Sequence, residues 1–425
     1  MKSHYPEVTI GSLASPEPGA FKIGPFGSSL KKGELVPEGI PVVGIENVLP
    51  NNFVPEYRKF ITHEKFGQLS QYKMEPFDVV VTTMGTIGRA AVVPENIETA
   101  IIDSHLFRMR VDPRKVDPAY LCYALNGYPP LIRQLQEKAV GAIMAGLNTK
   151  ILRECTIPLP PLPEQQRIVA RLNEQMLAVA QARRSAEEQL QAARALSSAY
   201  FRKVFTGTGE VLPTGWRWTK LGDVIDETQP GFASGQRDPK GVIQLRMNNV
   251  DTRGNLVWDE FLRVPADVTT IEKYCLKPGD IVFNNTNSTE LVGKSALFME
   301  YDEVVVYSNH FTRLRVKPEL ADPGLITFWL ISQWQMRTFE KICNRWIGQS
   351  AVKNDKLFEL EIPLPPKFEQ QNIAVQLNEQ MAVIAQVRRA AEEQLAEINR
   401  LPSTLLREAF NVILSVKEIN TKSLI

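Results

Sequence analysis

"IPLPPLPEQQRI" occupies residues 157–168, and "IPLPPKFEQQNI" occupies residues 362–373. Laid over one another at a fixed offset, the copies stay alike far beyond the phrase. EQQRIVARLNEQMLAVAQARRSAEEQL faces EQQNIAVQLNEQMAVIAQVRRAAEEQL, and roughly 27 of the 49 positions in 157–205 match their partners. An internal repeat of this quality takes precedence over other signals.

Each copy predicts a long amphipathic helix. In the first, Ile168, Leu172, Met176, Val179, Ala182, Ala186, Leu190, Ala193, Tyr200 and Val204 recur close to every 3.6 residues. The second repeats the stripe with Ile373, Leu377, Met381, Ile384, Val387, Ala391, Leu395, Ile398, Leu405 and Ala409. The prolines stand ahead of each helix as a stiff, extended lead-in. Glu164 and Glu369 fall in the first turn, where the helix dipole favours a carboxylate. About 42 helical residues would extend roughly 60 Å. Two matched stripes of this length predict an antiparallel pair about a pseudo-two-fold axis. Pro402 faces Ser197 and predicts a kink or break near Arg400 and Leu401.

The regions ahead of each phrase also correspond, more faintly. IPVVGIENV (40–48) faces VIQLRMNNV (242–250), and YKMEPFDVVVTT (72–83) faces YCLKPGDIVFNN (274–285). Gly88-Arg89 faces Gly293-Lys294, and SHLFRMR (104–110) faces NHFTRLR (309–315), with extra residues entering within NNTNSTELVG. Each region reads as short β-branched strands followed by one helical stretch, residues 118–139 and 323–342. The expected class is α+β: two mixed α/β domains alternating with two long helices paired as an antiparallel coiled coil. The expected boundaries are 1–156, 157–206, 207–361 and 362–415, with a tail at 416–425.

Composition bounds the function. At 425 residues, two or more domains are expected. No signal peptide and no apolar run of membrane length is visible, and four scattered cysteines without a CxxC pair suit a reducing cytoplasm. No Cys/His spacing suits zinc. The net charge of +1 gives no support for nucleic-acid binding, so any basic surface must be local. STELVGKS (288–295) ends like a phosphate-binding loop, but Ser288 stands where the first glycine belongs. There is no [DN]PP[FY] tetrapeptide of the amino-methyltransferases, and no GxSxG, HExxH or GxGxxG.

Two variable domains alternating with two near-identical helices, each introduced by IPLPPxxEQ, resemble the specificity subunit of type I restriction–modification systems. GPFGSSLKKGELVPEGIPVVGIENV (24–48) is similar to the opening of many target-recognition domains. The resemblance implies a non-catalytic subunit. It implies that each domain reads one half of a split, asymmetric double-stranded DNA target, with the helices setting the gap. It also implies docking of two modification (methyltransferase) subunits and a restriction (motor nuclease) subunit. No cofactor is expected on this chain; S-adenosylmethionine, ATP and Mg are expected on those partners. The complex as a whole would be an adenine methyltransferase and an ATP-dependent endonuclease.

Polar loop residues are the candidate DNA contacts, because Lys and Arg suit phosphate and guanine while Asn and Gln suit adenine. In the first domain these are Lys22, Ser28, Ser29, Lys31, Lys32, Asn47, Thr82, Thr83, Arg89 and His105. In the second they are Gln236, Arg237, Lys240, Arg246, Asn248, Asn249, Asn284, Asn285, Asn287, Lys294 and His310. Lys31-Lys32 and the NNTNS stretch lead the set. Candidate docking positions on the outer helix faces are Glu164, Gln165, Gln166, Arg183 and Arg184 with Glu369, Gln370, Gln371, Arg388 and Arg389. A protein-binding coiled-coil adaptor is the rival reading, and a stand-alone modifying enzyme is opposed by the missing motifs. Two features depart from the family pattern: Pro402, and the tail after Phe410, which lacks the glycine that follows Phe205.

Overall fold

The computed structural model describes residues 5–140, 149–206 and 212–415. The tail at 416–425 and the glycine after Phe205 lie outside the described residues. The chain divides into two compact units, Met1–Ala186 with Gln394–Ile425, and Glu187–Glu393. Each unit therefore holds one globular domain and a portion of both long helices.

In the first unit, an antiparallel sheet runs in the order Phe21–Ile23, Leu106–Met109, Val79–Thr82 and Ala90–Val92. The VVV run is central and buried on both faces, as its unbroken β-branched sequence requires. A second sheet joins Phe60–Ile61 and Ile40–Val43 antiparallel, and Ile40–Val43 with Ile101–Ile102 parallel. The second unit repeats this plan. Its sheet runs Ile225–Pro230, Phe311–Val316, Ile281–Asn284 and Ser295–Leu297, and its smaller sheet Leu262–Val264, Val242–Leu245 and Val305–Tyr307. It also carries a three-stranded sheet of Thr286–Asn287, Gln349–Ala351 and Asn344–Trp346. In each unit an early strand pairs antiparallel with the lead-in to a long helix: Glu7–Thr9 with Thr156–Pro158, and Arg217–Lys220 with Glu361–Leu364.

The buried charges repeat too. Asp78 receives Arg110 at 3.1 Å, and Asp280 receives Arg315 at 2.6 Å, both carboxylates being almost wholly buried. A buried carboxylate is tolerated when paired and hydrogen-bonded in this way. Asp78 and Asp280 also accept backbone N–H groups, from Glu75 and Lys277, each at 2.8 Å.

The first long helix spans Leu162–Thr206 and the second Lys367–Ser415. They pack together antiparallel. In the first unit, Ile168 and Leu172 near the start of one helix share a core with Leu406, Ala409 and Phe410 near the end of the other. In the second unit the relation is reversed, Phe201 and Phe205 sharing a core with Ala374 and Leu377. Phe410 reaches the helix Pro118–Gly127 through Tyr120, with ring centroids 5.8 Å apart. Phe201 meets Phe328 of the helix Pro323–Gln335 at 6.1 Å. Burial along the stripes is uneven, with Ala186, Leu190 and Ala193 buried near the middle of the first helix. Met176 and Val179 are half-buried, while Ala182 and Val387 are exposed.

The repeated glutamine explains why the phrase is kept. Gln165 and Gln370 are essentially inaccessible, at 0% and 1% exposure. The side-chain carbonyl of Gln165 accepts the N–H of Asp117 at 2.9 Å, while its amide donates to Lys115 O at 3.1 Å and Pro160 O at 2.8 Å. Gln370 does the same with Asp322 N at 2.7 Å, Leu320 O at 3.0 Å and Pro365 O at 2.9 Å. Asp117 and Asp322 are the N-caps of Pro118–Gly127 and Pro323–Gln335. One side chain thus ties the first turn of a long helix to the cap of a domain helix, satisfying three buried main-chain groups. The expectation that both glutamines lie on an outer docking face is corrected by this burial.

Two further expectations are corrected. The single helical stretch at 118–139 is two helices, Pro118–Gly127 and Pro129–Val140, because Pro129 holds Tyr128 in the extended region. Its counterpart divides likewise into Pro323–Gln335 and Thr338–Ile342, at Arg337 with φ 59°. Pro402 does not break the second helix, which continues through it to Ser415. The lost N–H is confined to one turn, where Ser403 and Thr404 hydroxyls donate to Arg400 O. The next turn is fixed by burial of Leu406, Ala409 and Phe410.

Candidate nucleic-acid interface

Four loops meet at one end of each domain. In the first domain, Asp103 N donates to Val43 O at 2.9 Å and Thr83 N to His105 O at 2.9 Å. These bonds join the segments at 44–47, 83–88 and 103–105. The loop that follows Phe21–Ile23 lies directly on this junction. A Cβ on Gly24 would sit 1.9 Å from Asp103 O, so only glycine permits the approach. The second domain builds the same frame. Ser308 N donates to Leu245 O at 2.9 Å and Asn285 N to His310 O at 3.0 Å, and a Cβ on Gly231 would meet Ser308 O at 2.2 Å.

Within this frame, candidates of one residue type divide by burial. Asn47 and Asn249 are each about 1% exposed. Asn47 accepts from Gly44 N at 3.0 Å and donates to Val54 O and Glu56 O, both at 2.9 Å. Asn249 accepts from Arg246 N and donates to Val257 O and Glu260 O. Both N–H donors and the carbonyl of each amide are engaged inside the fold, and at about 1% exposure neither side chain is free to read a base. Thr82 and Thr83 are also buried, Thr82 accepting from Arg89 N at 3.1 Å. Asn284 is buried, donating to His310 O and accepting from Asn287. Lys294 is turned inward, its ammonium held by Met247 O at 2.9 Å and by Val250 O. Burial, partly offset by Asp251, pushes its pKa down. These six, Asn47, Thr82, Thr83, Asn249, Asn284 and Lys294, are corrected from contact candidates to parts of the frame.

The remaining candidates reach the surface. Ser29, Lys31, Lys32, His105, Gln236, Arg237, Lys240 and Asn248 are exposed. Lys22, Arg89, Arg246, Asn285, Asn287 and His310 are half-buried. Ser28 sits in the short 3-10 turn Gly27–Ser29, its side chain lying outside the described atoms. Lys22 lies over the Tyr72 ring at 5.7 Å, and Asn285 donates to Thr312 at 2.8 Å. Desolvation, then the nearby Arg246 charge, holds His310 below its ordinary pKa, so it stands neutral near pH 7. On the helices, Gln166, Arg183, Arg184, Gln371 and Arg389 are exposed. Glu164 is clamped by Arg167 at 2.7 Å, and Arg388 lies 3.6 Å from Glu392. Among the described residues, no group of three or more His, Cys, Asp or Glu could hold a metal, and no helix is long and apolar enough to cross a membrane.

Sequence reasoning passes over the hairpin Asn344–Trp346 and Gln349–Ala351. Its signal is the Trp-Ile-Gly-Gln run ahead of the second lead-in, which the offset alignment leaves without a clear counterpart.

The family described as Type I restriction modification DNA specificity domain matches residues 23–178 and again 213–391. The chain belongs to this family. The two matches fall on the two domains of the repeat, each continuing into the helix behind it, so sequence recognition on DNA is the task of both. The specificity subunit of type I restriction enzyme MjaVIII from Methanocaldococcus jannaschii is 25% identical over 325 residues, covering 72% of this chain and 73% of that protein. The EcoBI specificity subunit of Escherichia coli is 21% identical over 401 residues, covering 88% and 80%. Among solved structures, the HsdS subunit of Thermoanaerobacter tengcongensis has the same fold, with a TM-score of 0.58 and 21% identity over 96% of this chain and 97% of that one. A chain from a type I R-M complex, studied for its assembly and conformational transition, gives 0.71 at 21% identity, covering 96% and 98%.

Proposed function

We propose that the chain is a non-catalytic specificity subunit whose two domains each read one half of a bipartite, asymmetric duplex DNA sequence. The observation that carries this reading is the pair of four-loop ends. Their backbone frame is the same in both domains, while the exposed and half-buried side chains carried on those loops differ: Ser29, Lys31, Lys32, Arg89 and His105 in one, Gln236, Arg237, Lys240, Arg246, Asn248, Asn285, Asn287 and His310 in the other. A shared frame with divergent side chains suits two different half-sites. The long helices set the unspecified gap. Their outward positions, Glu164, Gln166, Arg183, Arg184, Glu369, Gln371, Arg388 and Arg389, are the proposed docking surface for two modification subunits, with a restriction subunit joining for cleavage. S-adenosylmethionine, ATP and Mg belong to those partners, and the work is cytoplasmic.

Methylome sequencing of cells carrying this chain with a cognate modification subunit tests the proposal. The expected result is methylated adenine at one bipartite motif, and none when this chain is omitted. A functional partner that yields no new motif overturns it. The gap has its own test. Four residues inserted after Leu190, one helical turn, are expected to change the gap and leave the half-site bases alone. New bases at constant gap overturn the ruler.

A further inference from the structure

The hairpin Asn344–Trp346 and Gln349–Ala351 turns through Ile347 and Gly348 and ends in water. Trp346 is 60% exposed and Ile347 fully exposed. An indole and a branched aliphatic chain side by side at a solvent-facing tip leave most of their apolar surface uncovered, a surface suited to contact with another molecule. The hairpin is nonetheless well anchored. Gly348 takes a φ of 80° at the second position of the turn, a conformation that favours glycine there, and the register pairs Trp346 with Gln349 and Arg345 with Ser350. Ser350 is buried and bonded to Thr289 at 2.8 Å, and Val352 just beyond belongs to the core of the unit.

What the tip meets is argued from its neighbours. The middle strand also pairs with Thr286–Asn287, placing Asn287 opposite Ser350. Val352 N donates to Asn285 O at 3.0 Å. The hairpin therefore grows out of the loop that carries the candidate asparagines. Arg337 and Arg345 lie near Glu290, Arg337 also pairs with Glu340, and Lys341 stands in the last turn of the helix Thr338–Ile342 that leads into the hairpin, a surplus of one positive charge among these five. Asn344 and Gln349 flank the apolar tip and are exposed.

We infer that the Trp346–Ile347 tip is a wedge that enters the base stack of the duplex read by the second domain. This rests on the DNA-recognition reading above. Ile347 fills the opened step, Trp346 offers its face to the adjoining base, and Arg345 and Lys341 neutralise the flanking phosphates. Apolar side chains inserted between base steps kink or open a duplex in this manner, and an aromatic face stacks on any base.

The test uses the full chain with its modification subunit and a duplex carrying the motif found by methylome sequencing. 2-Aminopurine is placed in turn at each position of the second domain's half-site. The wild type is expected to raise fluorescence at one step. W346A/I347S is expected to abolish that rise and to speed dissociation by roughly tenfold to a hundredfold. W346F is expected to restore most of both. Both side chains are exposed, so the melting midpoint should stay unchanged, and I347S alone should reproduce the fluorescence loss. Unchanged fluorescence and dissociation in W346A/I347S overturn the wedge while the recognition reading stands. Weakened capture of the modification subunit with DNA contact intact also overturns it, assigning the tip to a protein partner. Absence of any methylated motif removes both readings together.

Discussion

Gln165 and Gln370 show how much one side chain can decide. Each satisfies three buried main-chain groups, so truncation strands a donor and two acceptors where water cannot reach them. Q165A and Q370A are each expected to lower the unfolding free energy by about 3 kcal/mol, read by urea denaturation. Phe77 carries a different load. It takes a left-handed φ of 67° and is half exposed, whereas its counterpart Gly279 adopts φ 91° freely. Phe77 N bonds Val93 O at 2.9 Å, just as Gly279 N bonds Phe298 O at 2.8 Å, so the turn itself is the same. F77G is expected to raise stability by about 1 kcal/mol in the same assay. His310 gives stability a pH dependence. Its folded pKa lies below the ordinary 6.5, so the unfolded chain binds the proton more readily. Its contribution is complete above 6.5 and is lost as pH falls from there through the folded value. H310N is expected to flatten that slope between pH 7.5 and pH 5.5, roughly one unit either side of the ordinary pKa. Residue type alone could not separate Asn47 from Asn248. The first is consumed by the carbonyls of Val54 and Glu56, a pairing visible only once the chain is folded.

The long helices were the most legible elements, because a period of 3.6 sustained over ten apolar positions, and then repeated, fits a helix and no strand. The strands at 79–82 and 281–284 were legible for a similar reason, as short β-branched or apolar runs between turn residues. Two elements were read less well. The Tyr128 interruption was written in the Pro-Pro pair beside it. The continuity through Pro402 was not, because it depends on Leu406 and Phe410 finding a core supplied by residues near the first helix's start. A proline in a helix interior costs about 3 kcal/mol when nothing offsets it. P402A is therefore expected to stabilise the full chain by about 1–3 kcal/mol, with slower hydrogen exchange at residues 398–406. No change in exchange there would show that the turn has adapted fully to the imino acid.

At the scale of the whole chain, each compact unit contains its own domain, the start of the helix behind it and the end of the other helix. A domain can thus be exchanged as a block. Replacing residues 1–156 with another recognition domain is expected to change one half of the methylated motif and leave the other half intact, as read by methylome sequencing. Changes in both halves would count against independent reading. The same chimera also tests the joint between domain and helix. Gln165 grips an N–H and two carbonyls, never a side chain, and Gln370 repeats the grip. A socket that recognises only main chain is blind to the residues it holds. Foreign domains with unrelated loops can therefore use this socket without any change in it, provided they keep the apolar positions, such as Tyr120 and Phe328, that pack on the helix ends, and a lineage can acquire a new target by a single splice rather than by a slow coadaptation of every surface.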